Sequence, residues 1–337
     1  MRALITLLSL AGLAGAVACG QDETAFDSES LQQELVQLNG LKVNGLKVNG
    51  LKINGLKING TQIGTETSLG FGTSDTSLAP PDLASMTIEA QMSDGSTLDM
   101  RIDSSQQDPA SHLWLYAVSY RDAKDKWQPL CGTANGQPIL ALPLPGLYDD
   151  DTGAYTPNSE LFTFACTVGA LGKCTLWGYR PWAQKTECID GTCKTQSLQP
   201  WHAACTRMVR ADYCGDGVPH TRDGTPINVW DNLSVQLADP TSWEMEAEWT
   251  PSGARCIRHT RWLQADKKAK WTDLEYIQRT CPERLASYRP AACDANTSDY
   301  LTQYGLHLDA ATRRLLRNQS QGYLTGTGKD KKGNRED

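Results

Sequence analysis

The chain has 337 residues, a net charge of −7 and 21% charged residues, enough for one large domain or two small ones. This mild acidity excludes an ordinary phosphate-backbone binder, which presents a concentrated basic face. Beyond an apolar N-terminus no stretch approaches the roughly 20 residues of a membrane-spanning helix. Ten tryptophans against four phenylalanines point to a core built on large amphipathic rings.

In chain order, Arg2 precedes a mostly apolar run from Ala3 to Ala18, and then Cys19 follows. This is a positive n-region, an h-region too short to span, and a small-residue cut site. Ala16-Val17-Ala18-Cys19 resembles a bacterial lipoprotein signal, whose cysteine is lipidated and becomes the first mature residue. Ala16-x-Ala18 also fits ordinary signal peptidase, which would leave a free thiol. Removing Cys19 from the 11 cysteines leaves an even number, as an exported chain with paired cysteines requires. Parity thus favours lipidation. Gly20, where an inner-membrane lipoprotein would carry Asp, resembles an outer-membrane address.

Residues 19–38 read as an acidic tether with Asp22, Glu23, Asp27, Glu29 and Glu34. Residues 39–63 hold five-residue repeats of the form Asn-Gly-Leu-Lys-Val/Ile, from Asn39 to Gly60. Within each unit the Leu and the Val/Ile are two apart, on one face of an extended segment, and Asn-Gly supplies a turn. The pattern resembles pentapeptide-repeat sequence. One solenoid coil cannot bury its own apolar stripe, so the segment reads as a spacer leaning on the next domain, or a partial coil capping it.

A Gly/Ser/Thr/Pro-rich linker occupies residues 64–82, and the main domain is expected over 83–295. Met86, Ile88, Ala90 and Met92 alternate, Asp94-Gly95 turns, and Leu98, Met100 and Ile102 alternate back as a hairpin. Further strands are expected at Leu113 to Tyr120, Leu161 to Thr167 and Ile227 to Trp230. Met245 to Trp249 and Arg255 to Trp262 form a second hairpin across Thr250-Pro251-Ser252-Gly253. Leu198, Trp201, Cys205, Met208 and Val209 make one apolar helical stripe, with Pro200 in its first turn. A second helix is expected at Ala310 to Arg317, within a C-terminal region, 296–337, that ends in a disordered tail. The fold class is therefore mainly β with a minority of helix, stapled by disulfides.

Two staples are expected, the first from local geometry. Cys188 and Cys193 flank an Asp-Gly turn that sets them opposite each other, and Cys256 is paired with Cys281. Cys205 and Cys214 bracket the helix exit, where a staple from either would pin the helix to the sheet.

That exit runs Ala211-Asp212-Tyr213-Cys214-Gly215-Asp216-Gly217. With Cys174 to Trp182, His220 to Thr225 and Trp249 to Ala254, it resembles the ADYC domain, a bacterial exported family named for the four residues Ala211 to Cys214. The resemblance covers roughly Ser85 to Cys293 and implies no assigned reaction. Read from its residues, the block is structural: Asp212 accepts backbone hydrogen bonds past a helix end, and Gly215 and Gly217 permit positive φ.

Sharper readings compete with it. His202 with Cys205 or Cys214 could make a nucleophile pair or supply zinc ligands, but both need free thiols. No metal is expected; calcium is the one cofactor that Asp212, Asp216, Asp223 or Asp149-Asp150-Asp151 would suit. Lys267-Lys268-Ala269-Lys270 follows Asp266, and Asp330 sits inside Lys329-Asp330-Lys331-Lys332, so both basic clusters read as solvated loops.

The expected function is a cell-envelope lipoprotein carrying a non-catalytic binding or structural module. Its expected partners are the membrane, through the anchor, and a protein or glycan ligand, with no nucleic acid. The alternative is an envelope hydrolase, for which His202, Asp212, His220 and Asp223 would have to converge in one cleft.

Overall fold

Two antiparallel sheets hold most of the strand residues among the described residues. The computed structural model describes residues 97–149, 151–157, 162–189, 192–231, 233–288 and 316–324. It also describes Ala84 and the strands Gln37–Leu38, Ile53–Lys57, Ile63–Glu66, Gly70–Thr73 and Thr87–Met92. The signal, Cys19, most of the tether and of the repeats, Asp150 and the Lys329 cluster lie outside the described residues.

The first sheet runs, in spatial order, Phe162–Cys166, Ala141–Pro145, Trp114–Arg121, Thr97–Gln107, Thr87–Met92 and Ile53–Lys57, with Trp127–Pro129 also on Trp114–Arg121. The expected hairpin is present towards one edge: Ile88 stands opposite Met100 and Ala90 opposite Leu98. One repeat-derived strand, Ile53–Lys57, pairs with Thr87–Met92. Met100, Ile102, Val118, Phe162 and Phe164 form the apolar core of this sheet, and Cys131–Cys166 joins it covalently.

The second sheet runs Gln37–Leu38, Pro226–Asp231, Leu316–Ser320, Glu244–Thr250 and Gly253–Ile257. Its central strand corrects the expectation of a helix from Ala310 to Arg317. Leu316–Ser320 is strand, hydrogen-bonded on both sides. A tertiary slot between two strands overrides local helical preference, because every backbone group in it must be paired. Residues 310–315 lie outside the described residues. The hairpin Glu244–Thr250 to Gly253–Ile257 is present, although its second strand stops at Ile257 rather than reaching Trp262.

Three α-helices are described: α1 Ala170–Leu176, α2 Gln199–Arg210 and α3 Asp273–Thr280. In α2 the expected stripe is buried, with Trp201, Cys205, Met208 and Val209 each at 0% exposure, and Pro200 sits in its first turn. A capping box between Thr272 and Glu275 starts α3.

The disulfides correct two expectations. Cys281 bonds Cys214, not Cys256, and Cys256 is disulfide-bonded to another cysteine. Cys205 bonds Cys174, so it ties α2 to α1, and Cys214 ties the exit of α2 to the end of α3. Neither pins α2 to a sheet. Cys188 stands directly opposite Cys193 in the hairpin Gln184–Ile189 and Thr192–Ser197, and Cys193 is disulfide-bonded. The Cys188 side chain lies outside the described residues.

Candidate functional site

The last turn of α2 sets the chemistry of the Ala211–Cys214 block. A helix leaves its final carbonyls without intrahelical partners, and here Arg207 to Arg210 are all satisfied. Asp212 N–H donates to Arg207 O at 2.9 Å and Ala211 N–H to Met208 O at 3.0 Å. The buried Arg261 donates to Met208 O and Val209 O at 3.0 and 3.3 Å. His220 N–H donates to Arg210 O at 3.1 Å. Ala211 makes the turn in the left-handed region, at φ 51° and ψ 41°.

Arg261 has no exposed surface, and its five N–H donors are all used. Two meet Glu246 in a fork at 2.8 and 3.0 Å, one meets Thr221 Oγ1 at 3.2 Å, and the remaining two cap α2. Burial alone would raise the Glu246 carboxyl, but the Arg261 charge and its hydrogen bonds outweigh that and hold it below its ordinary value. Tyr213 closes the network. Its hydroxyl donates to Glu246 at 3.0 Å and accepts the Arg261 N–H at 2.8 Å. Its ring stacks on Trp249, with centroids 5.4 Å apart.

Asp212, at 0% exposure, binds Arg207, accepts the Gly217 N–H at 3.1 Å and lies 3.7 Å from Arg210. Arg207 continues to Pro251 O at 3.2 Å, and so links the exit to the Thr250–Gly253 turn. The two glycines are matched across this junction. A Cβ on Gly215 would stand 1.9 Å from Ser252 O, and one on Gly253 would stand 2.7 Å from Gly215 N. Gly253 also has φ +113°, so only glycine lets the two chains meet. Arg284 seals them by donating to the carbonyls of Tyr213, Ser252 and Ala254 at 2.9–3.0 Å.

The four residues expected to converge in an enzyme do not line one cleft. His202 lies at 1% exposure in the first turn of α2, its Nε2 at 3.1 Å from Leu171 O and 3.2 Å from Thr175 Oγ1. A carbonyl only accepts, so Nε2 carries the proton. Burial lowers the ring's pKa to about 4, against the opposing effect of the Leu171 bond. His220 lies at 3% exposure between Tyr213 and Tyr276, with Nδ1 3.2 Å from Asp273. Asp212 is held by arginines. Asp223 is exposed, and its charge opposes the burial that lowers the Lys173 ammonium to about 8.

Cys205 and Cys214 are both oxidised, which removes the nucleophile-pair and zinc readings. Among the described residues no three His, Cys, Asp or Glu side chains are grouped to hold a metal. Of the acids expected to suit calcium, Asp216 accepts from Val218 N–H and Tyr276 Oη, and Asp149 from the Thr152 N–H and hydroxyl.

A family model described as the ADYC domain matches residues 80–263. The chain belongs to the ADYC domain family. No curated protein and no solved structure shows significant similarity to it. The ADYC fold in this chain is completed from beyond the matched residues. Leu316–Ser320 fills the middle of the second sheet, while Cys281 and Arg284 close the junction.

The sequence reading of the ADYC block missed Glu246, Arg261, Arg207 and Arg284. Glu246 and Glu248 alternate with Met245, Ala247 and Trp249, which reads as a strand with one wet face. In fact both glutamates are at 0% exposure. The signal in the sequence was charge of both signs, Glu246 and Arg261, within the two expected strands that flank the Thr250–Gly253 turn.

Proposed function

We propose that this ADYC protein is a cell-envelope lipoprotein whose domain is a non-catalytic binding or structural module. The observation that carries the non-catalytic part is the state of the motif's polar groups. Asp212, Tyr213, Glu246, Arg207 and Arg261 bind one another and the end of α2, beneath the surface. A hydrolase needs a base and a nucleophile that reach substrate, and these groups are directed into the fold.

Oxidised cysteines support an oxidising compartment, and the parity left by Cys19 supports lipidation there. The Gly20 context favours the outer membrane. The ligand class this leaves is a protein or a glycan.

The test is fractionation with intact-mass measurement. The wild-type chain is expected in the membrane fraction with acyl mass on residue 19. Cys19→Ala is expected in the soluble fraction with an unchanged melting temperature. Recovery of an unacylated mature wild-type chain would overturn the lipoprotein reading.

A further inference from the structure

The loop 263–273 follows the buried Arg261 and is tied down from several sides. Asp273 N–H donates to Leu263 O at 2.9 Å, closing its neck. Ala265 N–H reaches both Asp273 oxygens at 3.1 and 3.3 Å. Gln264 Nε2 spans the interior to Ala269 O and Trp271 O at 2.6 and 3.3 Å. From outside, Arg222 donates to Gln264 O and Ala265 O at 2.8 and 2.9 Å, and its guanidinium lies 3.9 Å from the Trp262 ring centroid.

On this fixed frame Lys267, Lys268 and Lys270 are all exposed. Read as sequence, this cluster after Asp266 is a solvated loop rather than a binding patch. In the fold the Asp266 carboxylate accepts the Lys268 backbone N–H at 2.9 Å, and no ion pair to the three ammonium groups occurs among the described residues. Beside them Trp271 carries Lys270 at 5.2 Å and Arg279 at 4.8 Å on its ring, and Leu263 is 45% exposed.

A protein of net charge −7 thus holds three lysines without ion pairs, a cation-covered tryptophan and an exposed leucine on one tied-down loop, with a second cation-covered tryptophan, Trp262, at its start. Lysines seek phosphate, while Trp and Leu favour the headgroup–acyl boundary. A guanidinium or ammonium lying on each indole occupies a ring face that would otherwise stack on a sugar.

We propose that this loop docks the domain on anionic phospholipid headgroups. The direction in which it would hold the domain rests on the anchor proposed above; the headgroup binding itself does not.

Flotation of the full chain carrying Cys19→Ala separates the two. Vesicles of equal parts phosphatidylcholine and phosphatidylglycerol are compared with pure phosphatidylcholine. Binding is expected to the anionic vesicles and to weaken with salt. Each lysine near such a surface contributes roughly fivefold, so the triple variant Lys267→Gln, Lys268→Gln, Lys270→Gln is expected to bind on the order of a hundredfold more weakly. Its melting temperature should be unchanged. Equal binding to both vesicles, no binding to either, or undiminished binding by the triple variant would overturn the proposal. So would capture by a soluble polyuronate without vesicle binding, which would assign the loop to an acidic glycan.

Discussion

The seven-stranded sheet buries Met100, Ile102, Val118, Phe162 and Phe164 around the Cys131–Cys166 bond. The five-stranded sheet encloses Glu246, Glu248, Arg261 and Asn318, each at 0% exposure. An apolar core accepts exchanges that keep its volume. A buried charge has no such latitude, because its partner must be present with the right geometry. This explains why the recognisable blocks around Ala211, His220 and Trp249 gather at one junction. They supply the residues that satisfy α2, Glu246 and one another.

The largest expected effect is that of Arg261→Met, which leaves Glu246 buried without its cation and the Val209 carbonyl uncapped. A loss of about 3–5 kcal/mol is expected, measured by denaturant unfolding. Ile102→Val in the other sheet should cost only about 1 kcal/mol. Adding Glu246→Leu to Arg261→Met should recover much of the loss, since the uncompensated charge is then gone. Equal costs for Arg261→Met and Ile102→Val would erase the contrast.

The next effect is pH dependence at α2. With a folded pKa of about 4 and an ordinary value of 6.5, His202 is kept neutral by the fold. Unfolding therefore takes up a proton between those values. The contribution is complete above about pH 6.5 and is lost as pH falls toward 4, amounting to about 3 kcal/mol. His202→Gln can still donate to Leu171 O but cannot titrate, so its melting temperature should fall less on acidification than that of the wild type. Parallel pH curves would contradict the assignment.

The sequence made the sheets legible wherever alternation met a single buried face, as at Ile88 to Ile102 and at Phe162–Cys166. It made α2 legible through a stripe and a proline. Leu316–Ser320 was not legible, because its strand state depends on neighbours distant in sequence. Asn318 accepts from Trp249 Nε1 at 2.7 Å, and Arg317 lies 3.5 Å from Glu248. The Cys214–Cys281 bond spans 67 residues, and spacing alone cannot choose such a pair among ten cysteines. Of the site, the structural role of Asp212 and Gly215 could be read locally. The meeting of Gly215 with Gly253 could not, since each turn looks complete alone.

The Ala211–Cys214 block is a junction holding α2 to its surroundings. Asp212→Asn tests this role most directly, by equilibrium denaturant unfolding. The side chain keeps its shape and loses the charge that holds Arg207 and Arg210. A loss of about 1–3 kcal/mol is expected, with ligand binding unchanged at temperatures where the variant is folded. Unchanged stability together with lost function would contradict the junction role and make Asp212 a working residue of an active site.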